Sequence, residues 1–192
     1  MNALVATTLL LASLLAAAPA LAADALWAAL RGGGHVALMR HATAPGVGDP
    51  EGFKVEDCAT QRNLSAAGRD EARRIGERFR AQGIAAARVY ASQWCRCLDT
   101  ARLLDLGEIT PFAGLNSFFR DGGREAVQTA EVRALIAREL ASGAPAQGPL
   151  VLVTHQVNIT ALSGIFPASG EIVVLRADGD ALTVVGRMRA DD

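Results

Sequence analysis

The chain is poor in metal-ligating side chains. Its 192 residues include three histidines and three cysteines, and none of their spacings is of the zinc-binding kind, which excludes a structural zinc module. An excess of either charge is also missing. Nineteen Lys and Arg against twenty Asp and Glu leave a net charge of -1, too weak a field to gather nucleic acid or an anionic membrane surface. An anionic substrate must therefore be met by a local cluster of positive groups. There is no internal repeat, low-complexity linker or second zone of composition. With 51% hydrophobic residues, the chain reads as one globular domain with a sizeable core. No glycine-rich loop follows a strand either: Gly32-Gly33-Gly34 precedes one, so it is not a dinucleotide loop.

The first 22 residues carry no charged side chain. Ala3 to Ala18 is rich in Leu and Ala, Pro19 breaks the run, and Ala20-Leu21-Ala22 supplies the small-x-small pattern of a signal peptidase site. The usual basic residue at the start is absent, and the run is short of the ~20 residues that span a bilayer. The expectation is a signal peptide over 1–22, a mature domain over 23–192 in the periplasm or secreted, and no membrane span after cleavage. An oxidising compartment permits a disulfide, and an odd count of cysteines leaves one thiol over.

After that segment, short apolar runs alternate with helical patterns. His35-Val36-Ala37-Leu38-Met39 reads as a first strand, followed by a Gly- and Pro-rich loop from Thr43 to Gln61. Ser65 offers a helix cap, and Ala72, Ile75, Gly76 and Phe79 recur on one face of a helix that Gly83 ends. Arg88-Val89-Tyr90-Ala91 is a second strand. Ser92 is placed to cap the next helix, which shows Cys97, Ala101 and Leu104 on one face. A helix is expected over Glu125 to Ala141, and a strand buried on both faces at Leu150-Val151-Leu152-Val153. Two strands, Glu171 to Arg176 and Leu182 to Met188, join across Asp178-Gly179-Asp180. The alternation predicts an α/β three-layer sandwich with a largely parallel central sheet.

Three of these strands end in reactive residues. Arg40-His41 follows the first, Ser92 and Arg96 the second, and Thr154-His155 the Leu150–Val153 strand. Ligands bind at the carboxyl edge of strands in such sheets. Two arginines, a helix N-terminus and two histidines at one edge make an anion site.

These segments resemble the histidine phosphatase superfamily, which includes the cofactor-dependent phosphoglycerate mutases. Leu38-Met39-Arg40-His41-Ala42 is similar to its Arg-His-Gly signature, and Asn63-Leu64-Ser65-Ala66-Ala67-Gly68 to its Leu-Ser/Thr-x-x-Gly helix start. Ser92 to Ala101 matches its Ser-x-x-x-Arg-x-x-x-Thr-Ala segment, and Val153-Thr154-His155 its second histidine block. The motifs occur in family order and span residues 36 to 160. The resemblance implies a phosphoglycerate mutase-like fold and a phosphomonoester hydrolase that needs no metal and no cofactor. His41 would be the nucleophile, with Arg40, Arg96 and His155 around the phosphoryl group. Arg62, Thr43 and Gln156 are the candidate substrate contacts.

The departures are informative. Ala42 stands for Gly, an insertion around Asp49 to Gln61 lengthens the first loop, and Leu115-Asn116-Ser117 lacks the Leu-x-Glu acid of the mutase branch. Asp121, in a Gly-rich loop just beyond and with Glu125 close by, is the candidate proton donor. Exported phosphatases of lipopolysaccharide core heptose phosphate are the nearest type, so the partner is a small phosphorylated substrate, such as an envelope sugar phosphate, and no nucleic acid. The rival is a non-catalytic phospholigand-binding protein of the same fold. The resemblance also brings the loop of Cys58 beside the helix of Arg96. Cys97 shares the apolar face of that helix, so Cys58–Cys95 is the preferred disulfide, against three unpaired thiols.

Overall fold

The computed structural model describes residues 18–142, 148–179 and 181–189. Six strands form one sheet in the order β3-β2-β4-β1-β5-β6. They are β1 His35–Arg40, β2 Arg88–Ala91, β3 Ile109–Pro111, β4 Leu150–Thr154, β5 Ile172–Asp178 and β6 Ala181–Met188. The helices are α1 Ala18–Gly32, α2 Ala66–Ala81, α3 Cys95–Leu104, α4 Glu125–Ala141 and α5 Gln156–Ser163.

Alternation along the buried strands sets the layers. Ala37 and Met39 of β1 face one core with Leu26, Phe79 and Leu104 from α1, α2 and α3. Val36 and Leu38 face a second core with Val132, Ile136 and Ile159 from α4 and α5. The three-layer expectation therefore holds, but the sheet is mixed rather than largely parallel. β1, β4, β2 and β3 are parallel neighbours, whereas β5 runs antiparallel to both β1 and β6. The connection through the eight-residue α5 delivers the chain to β5 opposite Met39, at the carboxyl end of β1, and from there β5 runs back along β1.

Residues 1–17, most of the expected signal segment, lie outside the described residues. Ala23, Leu26, Trp27 and Leu30, which α1 packs into the core, all follow the expected cleavage point. Among the described residues no helix is long and apolar enough to cross a membrane.

Two local features explain why the loops meet at one edge. Ser65 caps α2 by accepting from the Gly68 amide at 2.9 Å. Gly68 has no side chain for a packing reason: a Cβ there would stand 2.0 Å from the Thr43 carbonyl oxygen. The Leu-Ser-x-x-Gly motif thus lets the loop after His41 lie directly on α2.

Cys58 and Cys95 are bonded, with Cα atoms 5.6 Å apart, and Cys97 is a buried free thiol. The bridge ties the inserted loop to the first residue of α3. It closes a sequence separation of 37 residues, for which chain-entropy arguments give a stabilisation of about 3–4 kcal/mol. Cys58→Ser should therefore lower the urea midpoint markedly, with a rise in m-value as the unfolded chain expands. An unaltered midpoint would refute a stabilising bridge.

Candidate active site

The carboxyl edge of the sheet gathers Arg40 and His41 after β1, Ser92 after β2 and His155 after β4. Arg96 joins them from the first turn of α3. The hydrogen bonds fix the state of both histidines, because a guanidinium only donates. Arg96 Nε donates to His41 Nε2 at 3.2 Å, so that nitrogen carries a lone pair. His41 Nδ1–H then donates to the Ala42 carbonyl at 2.8 Å. Arg96 Nη2 donates to His155 Nδ1 at 3.3 Å, and His155 Nε2–H donates to Ser92 Oγ at 2.8 Å. Ser92 in turn donates to Asn116 Oδ1 at 3.2 Å.

Ser92 therefore does not cap α3 as expected. The helix begins at Cys95 behind Trp94, which makes no side-chain cap, and the Ser92 hydroxyl is committed to His155.

Both histidines are neutral. Burial, reinforced by the Arg96 charge, pushes His41 down to about 3, and the Ala42 carbonyl opposes this only in part. Burial and then Arg96 hold His155 well below its ordinary value. An unfolded chain takes up protons at these positions near pH 6.5, whereas the folded one refuses them. Stability is thus fully present above that pH and is lost on acidification, at about 1.4 kcal/mol per pH unit for each histidine. Urea unfolding between pH 6.5 and 4.5 should show this loss, with a shallower slope in His41→Asn. An identical slope in the variant would contradict it.

Four arginines gather here: Arg96, Arg40, Arg62 and Arg120, the last hydrogen-bonded to the Asp49 carbonyl. Arg40 donates from Nη1 to the Pro167 carbonyl at 2.9 Å, while its buried Nε has no hydrogen-bond partner. Arg62 is tied to the inserted loop through the Gly48 carbonyl, 2.7 Å from Nε. Burial and then Arg96 lower the proton affinity of both, but a guanidinium remains charged.

The sequence reading missed Asp49. Its carboxylate accepts from Arg96 Nη1 at 2.8 Å and Nη2 at 3.2 Å, from the Arg62 amide at 3.1 Å and from Trp94 Nε1 at 3.1 Å. Burial pushes this carboxyl upward, but the Arg96 hydrogen bonds and charge outweigh it and leave it below the usual range. Asp49 takes the outer edge of the guanidinium, so the inner Nε–Nη2 edge faces the two histidines. The signal available in the sequence was an aspartate in a Gly-Val-Gly-Asp-Pro loop opposite a cluster of arginines.

A cavity of about 260 Å³ opens above these groups, lined among others by Arg40, His41, Arg62, Arg96, His155 and Gln156. Thr43 is not among its lining residues; it bonds Glu71 through both its amide, at 2.7 Å, and its hydroxyl, at 2.8 Å. Asp121 and Glu125 do not line it either. Asp121 is exposed ahead of a 3₁₀ turn, and Glu125 begins α4. The Gly-rich segment turns outward into that helix instead of folding over the cavity. Among the described residues no group of three or more His, Cys, Asp or Glu side chains could hold a metal ion.

Comparison with known proteins bears on the fold and on the family resemblance. Residues 36–116 match the family model described as histidine phosphatase superfamily (branch 1). No curated protein sequence matches the chain. Among solved structures, the protein histidine phosphatase SixA complexed with tungstate superposes with a TM-score of 0.58 at 18% identity, covering 82% of this chain and 97% of that one. A structure assigned as phosphohistidine phosphatase SixA from Nakamurella multipartitia gives 0.55 at 22%, covering 81% and 95%. The mycobacterial glucosyl-3-phosphoglycerate phosphatase with VO3 gives 0.54 at 19%, covering 73% and 92%. At these identities the likeness establishes the fold.

Proposed function

We propose that the chain is an exported phosphomonoester hydrolase that works through a phosphohistidine on His41. The observation that carries this reading is the orientation of His41: its Nδ1–H is fixed on a backbone carbonyl, and its Nε2 lone pair accepts from Arg96, with the charges of Arg40 and Arg62 nearby. A neutral, oriented imidazole among cations is what attack on a phosphate dianion requires.

The phosphoryl group enters between His41 Nε2, the inner edge of Arg96, the unpartnered Arg40 Nε and His155 Nδ1. Its arrival supplies negative charge beyond the single carboxylate of Asp49, which the arginines outnumber. A monoanionic ester passes its proton to His155 Nδ1, which becomes a donor, while Ser92 keeps hold of Nε2. The arginines offset the charge spread over the equatorial oxygens. His41 Nε2 forms the bond to phosphorus as the ester oxygen departs, and water then releases phosphate and restores the imidazole. Because Arg40, Arg62 and Arg96 meet this charge, the reaction is expected to persist with chelators present. Vanadate, which bears three equatorial oxygens, is expected to inhibit.

The deciding experiment is to quench the enzyme during turnover of a ³²P-labelled phosphomonoester and map the label. Acid-labile label on the peptide containing His41 supports the reading. Tight phosphate binding with neither turnover nor label would overturn it in favour of a phospholigand-binding module.

A further inference from the structure

Apolar side chains share the mouth of the cavity with the exposed Arg120. Among the described residues, large hydrophobic side chains left exposed are few, and three of them meet here: Val47 at 88%, Phe119 at 58% and Phe166 at 69%. They come from separate segments, namely the inserted loop, the loop after β3 and the turn after α5. Local sequence therefore does not explain their convergence. Phenyl rings held in water beside a cationic floor suit a ligand with a charged head and a hydrophobic body.

A second observation concerns the departing oxygen. Among the described residues Asp49 is the only carboxylate lining the cavity, and four donors hold it ionised. Ser117, which lines the cavity, occupies the position of the Glu in Leu-x-Glu, and the Asn116 side chain before it is bound to Gln93 and Ser92. No carboxylic acid stands ready to protonate a leaving group. An alkoxide departs poorly without such a proton, whereas a phenoxide tolerates its charge.

We infer that the preferred substrates are aryl phosphates, with the aromatic leaving group seated on Phe119, Phe166 and Val47. This rests on the hydrolase reading above. The P–O(aryl) bond breaks as the bond from phosphorus to His41 Nε2 forms, and the electron pair leaves on the phenoxide, which takes its proton from water. Water then attacks phosphorus, the Nε2 pair returns to His41, and the net products are a phenol and inorganic phosphate. A heptose phosphate, the class suggested by the sequence resemblance, presents hydroxyls that this rim does little to meet.

The test compares kcat/KM of the full chain for phenyl, cyclohexyl, glucose 6- and glycerol phosphates. The expected order is phenyl above cyclohexyl above glucose 6-phosphate. The first step isolates the leaving group, and the second isolates the rim, since both latter esters release alcohols. Phe119→Ser and Phe166→Ser should each reduce the phenyl-to-glycerol selectivity about tenfold through KM, the factor that corresponds to about 1.4 kcal/mol of lost contact. Glucose 6-phosphate hydrolysed as efficiently as phenyl phosphate, or selectivity unmoved in both variants, would overturn the aryl assignment while leaving the hydrolase intact. No release from any ester, with no label on His41, would overturn both.

Discussion

His41→Ala is expected to lower turnover by at least about 10⁴-fold, because the covalent step has no substitute group. His155 is the nearest alternative, with ring centroids 5.5 Å apart. Its Nε2 is held by Ser92 and its Nδ1 faces Arg96, so it lines the site without sharing the position of the lost nitrogen. The variant should fold, since removing a buried neutral ring leaves no charge unpaired. Steady-state assay on phenyl phosphate, with circular dichroism as the control for folding, checks this. Activity within tenfold of the parent would end the case for His41 as nucleophile.

Arg96→Ala is expected to cost about 10³-fold in kcat by removing transition-state charge stabilisation. It should also destabilise the protein by a few kcal/mol, because it strips a buried carboxylate, Asp49, of its main counter-charge. The two effects separate in the double variant Arg96→Ala with Asp49→Asn. Stability should return as the uncompensated charge disappears, while activity stays low. If the double variant regained activity, the loss in the single variant would have been one of folding and not of chemistry.

Where local pattern and tertiary need agree, the elements were legible from the chain alone. β2 is Arg88–Ala91 and α4 is Glu125–Ala141 as the apolar spacing indicated, and Ser65 caps α2 as expected. β3 escaped because it is three residues long and ends in Pro111, a residue tolerated only at sheet edges. α5 escaped because Val157, Ile159 and Thr160 are β-branched and carry little helical preference. The antiparallel course of β5 escaped with it. In the site, Arg40, His41 and His155 were legible because each lies at the end of an apolar run, and Arg96 because it opens the helix that follows one. Asp49 was not, because its meaning depends on where a Gly-rich loop folds, and no periodicity encodes that.

The odd thiol bears on how long the bridge survives. Cys97 lies two residues from Cys95, close enough in sequence to attack the bond and reshuffle the pairing. Disulfide exchange needs a thiolate, and burial pushes the Cys97 thiol up to about 12. Its sulfur is also turned into the core against His155, 3.5 Å from Nε2. The native pairing is therefore guarded kinetically as well as chosen thermodynamically: the one group able to scramble it is held protonated and inaccessible for as long as the sheet stays closed.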